Sequence, residues 1–118
     1  MTPTSISQII LFVKDMETEV RFYRDMLGLE VRFPYNIDDF SEEMWVELEA
    51  GACTLALHGG AEEMPGQQHQ IVFRVDDIEK TWKKLHDAGI QIDDIRPLED
   101  GLPAAKAVDP EGHRFTIR

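Results

Sequence analysis

Six polar residues of this chain, Gln8, Glu47, His58, Gln70, Arg74 and Thr116, carry side chains able to hold or act on a small molecule. A carboxylate such as Glu47 grips its proton more tightly in apolar surroundings and can then act as a base near neutral pH. An imidazole such as His58 moves protons or ligates a metal. Arg74 offers parallel N–H groups to a ligand carboxylate, and the two glutamines offer neutral amides. Phe12, Tyr35 and Trp45 are candidate walls, and the face of an indole attracts cations. What is missing narrows the chemistry further. His58, His69, His86 and His113 show no HxH or HxxxH spacing. No nucleophile elbow, CxxC pair or phosphate-cradling glycine loop occurs. The residue types therefore predict recognition of a small molecule, or acid–base work by a Glu47/His58 pair. His69 and His86 are expected in solvent, and His113 in a structural hydrogen bond.

These residues need elements to position them, and the chain states its elements twice. "QIILFVKD" (Gln8 to Asp15) recurs as "QIVFRVDD" (Gln70 to Asp77). Each copy reads as a strand running into a helix, with Asp15 and Asp77 as N-caps whose carboxylates accept orphan backbone N–H groups. Met16, Val20, Tyr23 and Leu27 then share one helical face, as do Ile78, Trp82, Leu85 and Ala88. Acidic Glu17, Glu19 and Glu79 occupy first turns, where the helix dipole favours them, and Gly28 and Gly89 stop the helices.

Three strands are expected after each helix: Leu29–Phe33, Trp45–Glu49 and Thr54–His58, then Ile90–Ile95, Ala105–Val108 and Arg114–Ile117. The chain, residues 1–118, thus reads as one α+β domain of two βαβββ modules, 5–60 and 69–118, joined by a linker at 61–68. A ferredoxin-like chain has only two strands between its helices. Three strands per helix predict two curled mixed sheets enclosing a cleft, with the helices on the outer faces. Strand alternation then points Gln8, Ile10 and Phe12 into the concavity, along with Trp45, Glu47, Glu49, Thr54, Ala56 and His58. In the second module Gln70, Val72, Arg74, Arg114, Thr116 and Arg118 point inward, with Arg74 as the one strong anion site. "PYNIDDFSEEM", which holds Tyr35 and Phe40, is a candidate lid.

The doubled module resembles the vicinal oxygen chelate superfamily, which includes glyoxalase I, bleomycin-resistance proteins and extradiol dioxygenases. The stretches that carry the resemblance are "VKDMETEVRFYRDMLGLEV", "VDDIEKTWKKLHDAGI" and "VDPEGHRFTI". In metal-dependent members, four cavity positions hold a divalent cation. Carried over by register, these are Gln8, Ala56, Gln70 and Thr116. Ala56 has no ligand atom and the set has no negative charge, whereas such sites combine imidazoles and carboxylates. The resemblance therefore implies the metal-free, drug-sequestering branch, with no cofactor, and Gln8, Phe12, Tyr35, Trp45, Glu47, Ala56, His58, Gln70, Arg74 and Thr116 around the ligand. The competing expectation is a divergent lyase, isomerase or dioxygenase using a displaced metal at His58 and Glu47, or those two residues alone. A third is a regulatory module with a vestigial cleft.

Composition sets the outer bounds. Twelve Lys/Arg against twenty-three Asp/Glu give a net charge of −11, which argues against nucleic acid and for a neutral, planar or cationic ligand. No apolar run approaches the roughly 20 residues of a membrane span. The single Cys53 fits a reducing cytoplasm. Apolar strand edges and a cleft too open for so small a chain to cover predict a homodimer.

Overall fold

The computed structural model describes residues 6–60, 71–98 and 101–118. The chain divides into two compact units, Met1–Met64 and Pro65–Arg118. The linker at 61–68, together with His69 and Gln70, lies outside the described residues.

In the first unit β1 (Gln8–Phe12) leads into α1 (Met16–Arg21), followed by β2 (Val31–Phe33), β3 (Trp45–Ala50) and β4 (Cys53–His58). The sheet order is β1-β4-β3-β2, with β1 parallel to β4 and the other neighbours antiparallel. Asp15 caps α1 by accepting from the Thr18 N–H at 3.1 Å and the Thr18 hydroxyl at 2.8 Å. One face of the sheet is apolar core. Val46, Leu48, Leu55 and Leu57 are all buried there, as are Met16, Val20 and Tyr23 of the helical segment. α1 packs against β4.

Three local features depart from a plain reading of the sequence. The helix continues past α1 as a π-helical turn, Phe22–Met26, whose wider winding buries the consecutive Phe22 and Tyr23 together. Glu19, expected as a dipole-favoured first-turn acid, is wholly buried. The register slips between Val31 and Phe33, so Val31 lies opposite Leu48 on the core face while Phe33 lies opposite Glu47 on the other. The predicted start of that strand, Leu29, closes the helix instead, its N–H donating to the Tyr23 carbonyl, while the Glu30 carbonyl accepts from the Glu49 N–H of β3.

The second unit repeats the topology with β5 (Ile71–Phe73), α2 (Ile78–Asp87), β6 (Arg96–Pro97), β7 (Pro103–Val108) and β8 (Arg114–Ile117), in the order β5-β8-β7-β6. Asp77 caps α2 through the Lys80 N–H at 3.1 Å. Its core joins Leu85 of α2 to Ala105, Ala107, Phe115 and Ile117. Ala88, expected on the packed helix face, is the C-cap and exposed.

The expected strand Ile90–Ile95 does not form. Only Ile92 bridges to β7, opposite Ala107. The Trp82 indole takes the Asp93 carbonyl at 2.8 Å, holding that stretch to the helix, and the outer strand is displaced to Arg96–Pro97. A proline cannot donate to a ladder, so its place is an edge strand. Among the described residues, no helix is long and apolar enough to cross a membrane.

Candidate functional site

The face of each sheet turned away from its helix carries the candidate residues. In the first unit, three rows cross the strands on that face: Phe12, His58 and Trp45; then Ile10, Ala56, Glu47 and Phe33; then Gln8, Thr54 and Glu49. Gln8, Phe12, Trp45, Glu47, Ala56 and His58 are thus brought together on one surface, in the register that alternation predicts.

The first row is aromatic throughout. The His58 ring centroid lies 5.2 Å from that of Phe12 and 6.0 Å from that of Trp45, the latter edge-on. Phe12 remains 55% exposed, so its ring presents area to a ligand. His58 Nδ1 lies 2.7 Å from the Gly59 carbonyl oxygen. A carbonyl only accepts, so that bond places the proton on Nδ1 and leaves Nε2 as an acceptor. The Trp45 indole donates to a Glu47 carboxylate oxygen at 2.8 Å. Glu47 and His58 share the face but are not hydrogen-bonded to each other, since each is turned to another partner. Gln8 donates through Nε2 to the Thr54 hydroxyl at 3.0 Å, which orients its amide. Sequence reasoning put Thr54 on this face but gave it no role.

Tyr35 is 70% exposed and meets this surface through an edge-on contact with Phe33 at 6.4 Å. Phe40, the other aromatic of the candidate lid, is buried. Its N–H donates to Glu17 at 2.7 Å, and Arg24 lies over its ring at 5.8 Å. That hydrogen bond, followed by the one from Arg21, holds the Glu17 carboxyl below its ordinary range. Phe40 therefore anchors the loop to the helical side rather than covering a ligand.

In the second unit, Thr116 lies opposite Val72 and Lys106, and Val108 opposite Arg114. Alternation adds Arg74 and Arg118 to that face, and Arg96 pairs with Ala104 beside it. Arg74 thus shares this face with Arg114 and Arg118, as alternation predicts, and with Lys106. Gln70 lies outside the described residues.

The metal positions carried over by register can be tested for donors within each unit. Ala56 is wholly buried and offers a methyl group, while the neighbouring Gln8, which donates through Nε2 to Thr54, has only a neutral amide oxygen to offer. Thr116 is 4% exposed and offers only a hydroxyl. These residues do not fit a divalent cation, which needs anionic or imidazole donors to offset its dehydration.

The family model for the Glyoxalase/Bleomycin resistance protein/Dioxygenase superfamily matches residues 5–117. The chain belongs to this superfamily. An uncharacterized protein of Bacillus subtilis (strain 168), YraH, is 30% identical over 97 residues, covering 71% of this chain and 72% of its own. Among solved structures, the antibiotic-binding protein TnmS3 from Streptomyces sp. CB03234 matches with a TM-score of 0.77 at 19% identity, over 100% of this chain and 97% of that one. Lactoylglutathione lyase from Agrobacterium tumefaciens matches with a TM-score of 0.76 at 20% identity, over 99% and 94%. The fold is shared by a lyase and a binding protein, so superfamily membership leaves the activity to be argued from residues.

Proposed function

We propose that this protein binds a small, planar or cationic organic molecule on the open face of the first sheet, as a sequestering protein and without metal. The carrying observation is the aromatic row Phe12, His58 and Trp45, with the Trp45 indole fixed by Glu47. An indole held by a carboxylate is a preorganised wall: its ring orientation is set before a ligand arrives, and the carboxylate beside it favours positive charge. Gln8, oriented by Thr54, supplies a neutral amide. Tyr35 adds an exposed outer contact beside Phe33. The likeness to an antibiotic-binding protein agrees with this role.

The enzyme reading lacks a comparable support, because Glu47 and His58 do not act on one another and the metal positions lack donors. Two copies are proposed to pair, on the ground that so small a chain leaves apolar strand edges for a second copy to cover. Light scattering should give twice the chain mass of 13.5 kDa. The proposed compartment is the cytoplasm, where Cys53 stays reduced.

A thermal-shift screen tests the binding site with proflavine as the planar cation. At one hundred times its dissociation constant, a ligand adds about 2.7 kcal/mol of stability. Trp45→Ala and Glu47→Gln should each abolish most of the shift. A shift unchanged in both variants refutes the site. Elemental analysis showing stoichiometric zinc, nickel, iron or manganese refutes the metal-free reading.

A further inference from the structure

The open face of the second sheet differs in kind from that of the first. Residues 1–64 carry four Lys/Arg against thirteen Asp/Glu, and residues 65–118 carry eight against ten. The arginines of the first unit each meet a carboxylate: Arg21 with Glu17, Arg24 with Asp25, and Arg32 with Glu49. On α2, Lys83 pairs with Asp87. By contrast, Arg74, Lys106 and Arg114 share one sheet face and make no ion pair among the described residues. Acids are the commonest charged residues of this chain, so partners for these cations would be easy for the sequence to provide. Gathered on one face, they instead repel one another and build a local positive potential against the net charge.

Shape accompanies the charge. A groove of about 390 Å³ is lined by Val72, Arg74, Val75, Leu102, Pro103 and Arg118. Val72 is 56% and Leu102 55% exposed, so apolar surface lies beside the guanidinium groups. A second hollow, about 240 Å³, lies beside Lys106 and Arg114, with the one carboxylate of Asp93 also on its wall. We infer that this groove receives the terminal carboxylate or phosphate of a small organic molecule, with Arg74 as the principal contact and Val72 and Leu102 against its apolar body. The planar fork of Arg74 suits either oxyanion, since both accept two parallel N–H bonds. Lys106 and Arg114 contribute positive potential across the face. A polyanion is disfavoured by the net charge of −11, whereas a small anion feels chiefly the local field.

Calorimetry at low salt with phenyl phosphate, benzoate and the neutral benzamide tests this site independently of proflavine binding to the first sheet. Phenyl phosphate and benzoate should bind, benzamide at least about tenfold more weakly, and added salt should weaken the two anions only. Arg74→Ala should cost both anions about tenfold, and Arg74→Lys less, because charge is kept while the fork is lost. Lys83→Ala, on the helix, should change nothing. Arg114→Ala serves as a second variant if Arg74→Ala does not fold, and should cost about threefold. Comparing phosphate with benzoate distinguishes the two oxyanion sources. Equal affinity for benzamide, or equal losses from Lys83→Ala and Arg74→Ala, overturns the inference. Proflavine binding should survive every one of these variants.

Discussion

The two units share a topology and almost nothing else that a ligand would meet. Their sheets follow the same order, with the first and last strands of each unit parallel. Yet one open face is aromatic and acidic while the other is cationic. Their hairpins are also closed by different means. In the first unit, Ala50 pairs with Cys53, and the two-residue turn depends on Gly51 at a φ of +75°. In the second, Val108 pairs with Arg114, and the turn is organised by Asp109. That carboxylate accepts from the Glu111 and His113 N–H groups at 2.9 Å each and lies 2.6 Å from His113 Nδ1. The difference shows which parts of a duplicated module are tied down. The core alternation must be kept because a one-residue slip exchanges the faces. The residues between core positions, and the chemistry of the turn, can diverge.

The largest expected effect separates the two hairpins. Asp109 is buried, so Asp109→Ala removes an acceptor from two backbone N–H groups and one imidazole nitrogen at once. Loss of about 3 kcal/mol or more should follow, read from the urea midpoint. A loss below about 1 kcal/mol would show that solvent replaces the carboxylate and that the two turns are equivalent. At the corresponding turn, Gly51→Ala should cost only about 1 kcal/mol. An added Cβ meets nothing within 4 Å, so the cost is the backbone conformation alone. A larger loss there would locate a packing role that the geometry does not contain.

This contrast bears on what the sequence could reveal. Asp15 and Asp77 were legible as caps because capping needs only one carboxylate at one position before an amphipathic run. Val46, Leu48, Leu55 and Leu57 were legible as core because strands alternate. His113 was legible as a structural residue because it follows the DPEG turn. Phe33 was not placed, since its face depends on a register slip that leaves no composition signal. Ile90–Ile95 has the alternation of a strand, yet only its middle meets β7, through Asp93 N–H to Lys106 and Val108 N–H to Gln91, while the Trp82 indole donates to the Asp93 carbonyl. Phe40 looked like a lid residue in an acidic loop, and only the fold shows its N–H reaching Glu17. Part of the company of Arg74 was legible too, since alternation already turned Arg114 and Arg118 inward. Lys106 was not, because its face follows from its pairing with Thr116 across the hairpin.

The smallest expected effect distinguishes the two caps. Both carboxylates accept an N–H from the third residue beyond them, but Asp15 also accepts the Thr18 hydroxyl. The Thr18 backbone and side-chain hydrogen bonds hold the Asp15 carboxyl below its ordinary range. A depressed folded-state pKa means stability that is fully present above the unfolded value of about 3.9 and lost as pH falls through the folded one. Thr18→Val removes the hydroxyl and keeps the backbone bond. It should raise the Asp15 pKa toward the ordinary value, followed by carboxyl carbon shifts in an NMR titration. The stability lost between neutral pH and pH 3 should shrink slightly, because less of it then depends on the ionised carboxylate. The exposed position keeps this change small, since water competes for the same oxygen. Asp77 has no such hydroxyl at the third position, where Lys80 stands, and accepts only the Lys80 backbone N–H there. An Asp15 titration unmoved by Thr18→Val would mean that the backbone bond alone sets its pKa, and that the two caps are alike.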